Sequence, residues 1–177
     1  IKSVFHSFLF LCKATKLHFK WGGYIFMSTE YLFKIELAKR NGKELNAVHV
    51  IENMIKGGWS LFSEEGKIIY ADISDEYDFH FMAKNISKAA YYDMVNEKQI
   101  KCELIAFAMF YIENEHTYRI DVIITSDFQV LISIDDLNKK MLCNQFKLLD
   151  INWYAYHIIP YLTNDEMQVE FFSFYKY

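Results

Sequence analysis

The sequence predicts a single α+β domain, in which about three helices pack on a mostly antiparallel sheet. Strand-like segments follow one another in hairpin-like pairs, whereas a parallel sheet would alternate each strand with a helix. Aromatic residues make up 18% of the 177-residue chain and proline occurs once, a composition that argues against disorder. No segment of about 20–50 residues repeats, which excludes a solenoid.

The first elements are a strand, a turn and a helix. Residues 29–37 alternate apolar and polar side chains with the period of a strand that buries one face. Asn41-Gly42 marks the turn that follows. Residues 46–58 have apolar side chains at helical spacing, with Asn46 as the N-cap and Gly57-Gly58 as the stop signal.

The next elements are a hairpin and a second helix. Residues 59–74 contain two β-rich runs that flank the turn Glu64-Glu65-Gly66. We expect residues 75–85 to be irregular. Residues 87–100 predict a helix capped by Ser87, and its expected inward side chains are Ala90, Met94 and Ile100.

The remaining segments predict three strands, an irregular excursion, a helix and a last strand. The continuous apolar run 103–113 is typical of a central strand, and residues 116–135 form two strands around Ser126-Asp127. We expect residues 135–149 to be irregular. A helix at 150–165, capped by Asp150 and tightened near its end by Pro160, precedes a strand at 167–177.

Residues 1–26 differ sharply from the rest of the chain. They contain four lysines and no acid, and removing these lysines leaves 15 basic against 23 acidic residues, a net charge of −8 rather than −4. We expect translation to start at Met27 and residues 1–26 to be a non-native translated leader or an accessory segment. A signal peptide is the alternative, although no small-residue cleavage site closes the apolar run after Lys2. The domain is then 27–177.

The composition of residues 27–177 limits the partners. An acidic surface repels phosphates, so we expect no nucleic-acid binding. No apolar run is long and uncharged enough to cross a bilayer. Cys102 and Cys143 lack a CxxC spacing and lie in apolar surroundings, so we expect buried free thiols in the cytoplasm. The oligomeric state is left open.

No catalytic signature is present, and the one dense polar cluster is acidic. The sequence lacks the phosphate-binding, nucleophile-elbow and HExxH patterns, and we expect no cofactor and no enzymatic activity. The cluster contains Asp72, Asp75, Glu76, Asp78 and His80, with Glu64 and Glu65 across the hairpin. It lacks the glycine and closing glutamate of a calcium-binding loop, so a solvated loop or a charged contact for a basic partner is preferred to a metal site.

The histidines and tryptophans are interpreted as structural. His157 lies one helical turn after Trp153, and no serine or cysteine nucleophile pattern accompanies it. We expect Trp59 and Trp153 to be core or half-buried. An enzyme that uses His80, His116 or His157 with carboxylates stays as an alternative.

Two stretches resemble immunity proteins of bacterial polymorphic and contact-dependent toxin systems. The first is GGWSLFSEEGKIIYADISDEYDF, where Gly-Trp precedes a hairpin and an acidic segment. The second is DINWYAYHIIPYL with the later VEFFSF. The resemblance covers most of 27–177, and it implies a protein that binds and neutralises a cognate toxin, with a basic nuclease as the expected class.

The resemblance and the charge together give a binding hypothesis. We expect an acidic surface of Asp72, Asp75, Glu76 and Asp78 to contact the toxin, with Tyr77 as an anchor and with Glu64 and Glu65 beside them. Long-range attraction would speed capture. An interaction module without a toxin partner is the other alternative.

Overall fold

The structure confirms the predicted α+β fold class. A computed structural model of the chain describes residues 20–21, 24–25, 31–75, 80–134, 138–143 and 148–176. Within these residues, three helices accompany a seven-stranded sheet whose neighbouring strands are all antiparallel. Most of the predicted leader and three predicted contact residues, Glu76, Tyr77 and Asp78, lie outside the described residues.

The large sheet has the strand order β11-β3-β8-β7-β6-β4-β5. Two short ladders, β1–β2 and β9–β10, lie apart from it. The described strands are β1 (Lys20–Trp21), β2 (Tyr24–Ile25), β3 (Tyr31–Lys39), β4 (Ile68–Ala71), β5 (Phe81–Lys84), β6 (Ile105–Glu113), β7 (His116–Ile124), β8 (Gln129–Ile134), β9 (Met141–Cys143), β10 (Leu148–Leu149) and β11 (Met167–Lys176).

The three predicted N-caps are confirmed. The helices are α1 (Ala47–Lys56), α2 (Lys88–Ile100) and α3 (Ile151–Ile158), and a 3-10 turn at Ile159–Leu162 carries Pro160. Each cap side chain satisfies one backbone N–H that has no partner within the helix. The bonds run from the Val48, Ala90 and Trp153 N–H groups to Asn46, Ser87 and Asp150.

All three helices pack on one face of the sheet. Alternate residues of β3 are buried there, as its period of two predicts. The same apolar cluster contains Val50, Ile51 and Met54 of α1 together with residues of α2 and α3. A helix that buries one apolar stripe against alternating strand positions gives this two-layer arrangement.

Strand β6 is buried on both faces, as the predicted central strand requires. Ile105, Phe107 and Met109 join the cluster under the helices. Ala106 and Ala108 join a second apolar cluster on the opposite face, together with residues of β4 and β5. A strand that is apolar at every position from 105 to 110 therefore lies inside the sheet, between β4 and β7.

The sequence interpretation was wrong for part of the region 59–85. Residues 81–84, expected to be irregular, form the edge strand β5, which pairs with β4 along its whole length. The expected first run of the hairpin is reduced to isolated bridges at Ser60 and Phe62. The strand that pairs with β4 at this edge is therefore β5, which follows the acidic segment in the sequence.

The inward face of α2 was predicted correctly only at Met94, which packs against the core. Ala90 and Ile100 are exposed, and the buried side chains are Tyr91, Val95 and Lys98. The Lys98 ammonium group donates to the Leu104 carbonyl oxygen at 3.1 Å, so a charged residue occupies a position that the pattern reads as polar and exposed.

The two cysteines correct a further expectation. Both are free thiols, as predicted, but Cys102 is exposed and Cys143 is half-buried. Cys102 follows the end of α2 with a φ of 57°, which places it in a tight turn rather than in the core.

Candidate functional site

The predicted acidic cluster begins where β4 ends. Asp72 opens a turn at residues 72–75, which we name the acidic turn. Its carboxylate accepts hydrogen bonds from the Ile73 N–H and from the Lys84 ammonium group, both at 2.9 Å. The Lys84 hydrogen bond, followed by the Ile73 N–H, holds the pKa of Asp72 below its usual value. The Asp72 carboxylate is therefore ionised at neutral pH, next to a lysine of β5.

The acidic turn is anchored at two further points. The Ser74 N–H donates to the Glu103 carboxylate at 2.9 Å. Asp75 accepts a hydrogen bond from the His80 N–H at 2.5 Å, and its carboxylate side chain is only 16% exposed. Asp75 therefore links the residues on either side of positions 76–79 and is only partly accessible. Residues 76–79 lie outside the described residues.

Glu64 and Glu65 lie in a separate turn, residues 63–67, which we name the hairpin turn. Both side chains are exposed. Glu64 accepts a hydrogen bond from the Thr117 hydroxyl at the start of β7. Glu65 pairs with Lys67 at 2.7 Å, and the Lys67 hydrogen bond lowers the pKa of Glu65.

The two turns lie at opposite ends of β4. Strand β4 pairs antiparallel with β6, with Tyr70 opposite Phe107. The hairpin turn therefore lies near the β6–β7 connection, where Glu64 reaches Thr117, while the acidic turn lies near Glu103, before β6 begins. The described residues of the acidic cluster therefore fall into two groups, one at each end of β4.

A cluster of rings lies between α3 and the β6–β7 hairpin, and we name it the aromatic surface. The Trp153 ring centroid lies 5.0 Å from Tyr111, 5.1 Å from Tyr118 and 4.4 Å from His157. Tyr156 contacts His157 at 5.2 Å and is 70% exposed. The residues of the aromatic surface are Tyr111, Tyr118, Trp153, Tyr156 and His157.

One ion pair lies against the aromatic surface. Lys140 pairs with Glu113, and its ammonium nitrogen lies 5.2 Å from the Tyr118 ring centroid and 5.6 Å from that of Trp153. The hydrogen bond between them raises the pKa of Lys140 and lowers that of Glu113. Aromatic side chains are enriched in protein interfaces, whereas Lys and Glu are depleted there, so the rings rather than the ion pair favour a protein-binding surface.

Sequence analysis identified parts of this surface but not the whole. Trp59 is 1% exposed and Trp153 is half-buried, as expected, and the Trp59 indole N–H donates to the His157 carbonyl oxygen at 3.1 Å. The β6–β7 register places Tyr111 directly opposite Tyr118. That pairing follows from the two-residue turn between the strands and could have been found. The docking of α3 onto the pair depends on tertiary packing.

The structure places the three histidines of the enzyme alternative in different surroundings. The His157 Nδ1 lies 2.7 Å from the Trp153 carbonyl oxygen. His80 Nδ1 lies 3.5 Å from an Asp75 oxygen, and His116 is exposed at the start of β7. Among the residues that the structure describes, no three His, Cys, Asp or Glu side chains are grouped so that they could hold a metal ion.

A polar groove runs along α1 beside the loop that precedes β11. Its volume is about 390 Å³. Glu166 pairs there with Lys43 at 2.9 Å and with His49 Nδ1 at 2.7 Å. The Lys43 hydrogen bond is the largest effect that lowers the pKa of Glu166. The charges lining the groove are largely satisfied within the protein.

Comparison of the chain with protein-family models, with curated proteins and with solved structures finds no match. In the part of the chain that the structure describes, the helices are too short or too polar to traverse a lipid bilayer.

Proposed function

We propose that the chain is an immunity protein that binds a cognate bacterial toxin in the cytoplasm and neutralises it. The observation that carries the proposal is the segment 72–78, which places four carboxylates and no basic residue in seven positions directly after β4. Concentrated negative charge attracts a basic partner at long range and accelerates association. The expected partner is a basic nuclease, because a protein that binds phosphates carries the complementary charge.

The contacts made by residues of the segment suggest a different role for each of them. The Asp72 carboxylate forms an ion pair with the Lys84 ammonium group, and the Asp75 carboxylate accepts a hydrogen bond from the His80 N–H. We therefore assign the direct charged contact to Glu76 and Asp78, with Tyr77 as the anchor between them. Asp72 and Asp75 support this contact through their bonds to Lys84 and His80, which follow residues 76–79 in the sequence. Glu64 and Glu65, at the far end of β4, form a second contact area.

The test is co-expression of the full chain with the C-terminal domain encoded by the adjacent upstream gene. We expect the chain to restore growth of cells that produce this domain. The variant Glu76→Lys/Asp78→Lys should lose the rescue, because reversing two charges turns attraction into repulsion without removing the bond between Asp75 and His80. Growth rate with and without the chain is the measurement.

The matched control is Glu44→Lys/Asp93→Lys, which changes the net charge equally at two exposed positions outside both proposed contact areas. It should rescue growth as the wild type does. Equal loss of rescue in both variants would show that only the net charge matters. Toxicity that the wild-type chain does not relieve would remove the immunity proposal for that pair.

The aromatic surface favours a second candidate, a protein-interaction module without a toxin partner. Tyr156 is 70% exposed beside half-buried rings, an arrangement found where interfaces have aromatic anchors. Tyr156→Ala removes an exposed ring without creating a core cavity. If no neighbouring product is toxic and Tyr156→Ala abolishes capture of a cellular protein, this candidate replaces the immunity proposal.

A further inference from the structure

Strand β11 forms one edge of the seven-stranded sheet. It contains ten residues, Met167–Lys176, and pairs with β3 on one side, whereas no described strand pairs with its other side. An edge strand of this length exposes a row of backbone N–H and C=O groups that can pair with another strand. By contrast, β5 at the opposite edge has four residues.

The charged side chains of β11 are Glu170, at a bulge, and Lys176, and residues 171–175 between them carry no charge and no proline. Proteins commonly place charges or proline along an exposed edge to prevent pairing. Here Phe171 is 47% exposed, Phe172 is 36% exposed and Tyr175 is 43% exposed. The register with β3 places Phe172 and Phe174 on the helix-bearing face, where both contact the Phe33 ring, and it places Phe171 and Tyr175 on the other face.

We propose that β11 pairs antiparallel with β11 of a second copy of this chain, centred on Ser173, to form a two-fold symmetric dimer. In this register Phe171 faces Tyr175 of the second copy on one face of the joined sheet, and Phe172 faces Phe174 on the other. Aromatic cross-strand pairs are among the stabilising contacts of antiparallel ladders. Two-fold symmetry produces every such pair twice.

Charge fixes the register. The ladder with β3 is regular from Phe171 to Lys176, and a bulge interrupts it at Glu170. With Ser173 at the centre, Glu170 of one copy follows the Phe171–Tyr175 pair and comes beside Lys176 of the other, at both ends of the new ladder. Side chains of paired residues must lie on the same face, so the neighbouring registers are centred on Phe172 or Phe174. Neither of them brings Glu170 opposite Lys176. Both residues are exposed, which leaves them accessible to the second copy.

The test is a charge-exchange series followed by analytical ultracentrifugation of the full chain. Glu170→Lys and Lys176→Glu should each weaken dimerisation about tenfold, because each creates two like-charge pairs. The double variant Glu170→Lys/Lys176→Glu should regain the wild-type dissociation constant. A mixture of the two single variants should form a heterodimer, since both of its end pairs are then attractive.

A crosslinking experiment tests the centre directly, after the native cysteines have been replaced by alanine. Ser173→Cys should give a disulfide-linked dimer under mild oxidation, because only the residue on the axis faces its own copy. Phe171→Cys is the control and should stay uncrosslinked. Thermal unfolding of each variant shows whether it is folded. A wild-type chain that is monomeric at every concentration, or a double variant that is not rescued, would overturn the proposal.

Discussion

At the scale of single residues, Asp72 combines charge with a structural role. Its carboxylate ties the end of β4 to Lys84 of β5 and also caps the Ile73 N–H. Its pKa is lowered in the folded protein, so the folded state favours the ionised form more than the unfolded state does. The side chain is 45% exposed, and solvent therefore screens much of the interaction with Lys84.

We expect Asp72→Asn to lower the free energy of unfolding by about 0.5 kcal/mol at pH 7. The stabilisation by Asp72 is fully present above its ordinary pKa of 3.8 and is lost as the pH falls through the lower folded pKa. The difference in melting temperature between wild type and variant should therefore shrink progressively as the pH falls below 3.8. The exposed position Asp93→Asn serves as the control. A difference that does not change with pH would contradict the ionic origin.

At the scale of secondary-structure elements, two glycines set how closely α1 approaches α3. A Cβ atom on Gly57 would lie 2.7 Å from the His157 carbonyl oxygen and 2.9 Å from the Tyr161 ring. Gly58 has a φ of +94°, and its missing Cβ would lie 2.7 Å from the Tyr111 ring. The stop signal read from the sequence therefore has a second role, which is close packing.

Gly57→Ala should destabilise the protein by about 2 kcal/mol, because the contacting carbonyl belongs to the backbone of α3 and cannot move aside alone. Gly42→Ala is the comparison. Gly42 has a φ of +70° with no heavy atom within 4 Å of the added Cβ, so only backbone strain of about 1 kcal/mol is expected. Near-ultraviolet circular dichroism should change for Gly57→Ala alone, since that variant displaces Trp153. Unchanged spectra in both variants would contradict the packing role.

Elements with strong local signals could be predicted, and those that depend on distant partners could not. Helix α1 could be predicted because Asn46 marks its start and Gly57-Gly58 marks its end. Strand β5 could not be found because four residues carry little periodicity, and pairing with β4 decides its state. Part of the face of α2 was misassigned because Lys98, a polar residue, is buried and bonds to the Leu104 carbonyl oxygen, whereas Met94 was predicted correctly.

In the candidate site, too, the features with local sequence signals could be predicted, and those that depend on distant contacts could not. The acidic segment was visible in the sequence, but its separation from Glu64 and Glu65 depends on the path of β4. Sequence patterns also cannot reveal that the Asp75 carboxylate accepts a hydrogen bond from the His80 N–H, since the two residues are five positions apart and neither lies in a helix or strand. The aromatic surface depends on a helix that docks onto a hairpin from a distant part of the chain.

At the scale of the whole molecule, stability should decrease from the centre of the sheet toward its edge at β5. Strand β6 pairs along nine positions with β7 and is buried on both faces from residue 105 to 110, whereas β5 has four pairs with a single neighbour. Strands with many neighbours open only when the whole protein unfolds, while edge strands open locally.

Hydrogen–deuterium exchange followed by mass spectrometry tests this gradient. Peptides from β6 and β7 should exchange slowest, and those from β5 and the β9–β10 ladder should exchange at least tenfold faster, since their amides have few pairing partners. Peptides from β8, which has neighbours on both sides, provide the internal reference. Equal protection of β5 and β6 would contradict a core centred on β6.

The pairing of β3 with β11 has a consequence for synthesis of the protein on the ribosome. Met167 pairs with Lys39 and Lys176 pairs with Tyr31, so the earliest strand of the large sheet is completed by the latest one. A nascent chain that has produced every other described strand still leaves that side of β3 without its neighbour. Contacts so distant in sequence form slowly. That side of β3 must therefore wait for translation of residues 167–176, and it stays accessible to chaperones until then.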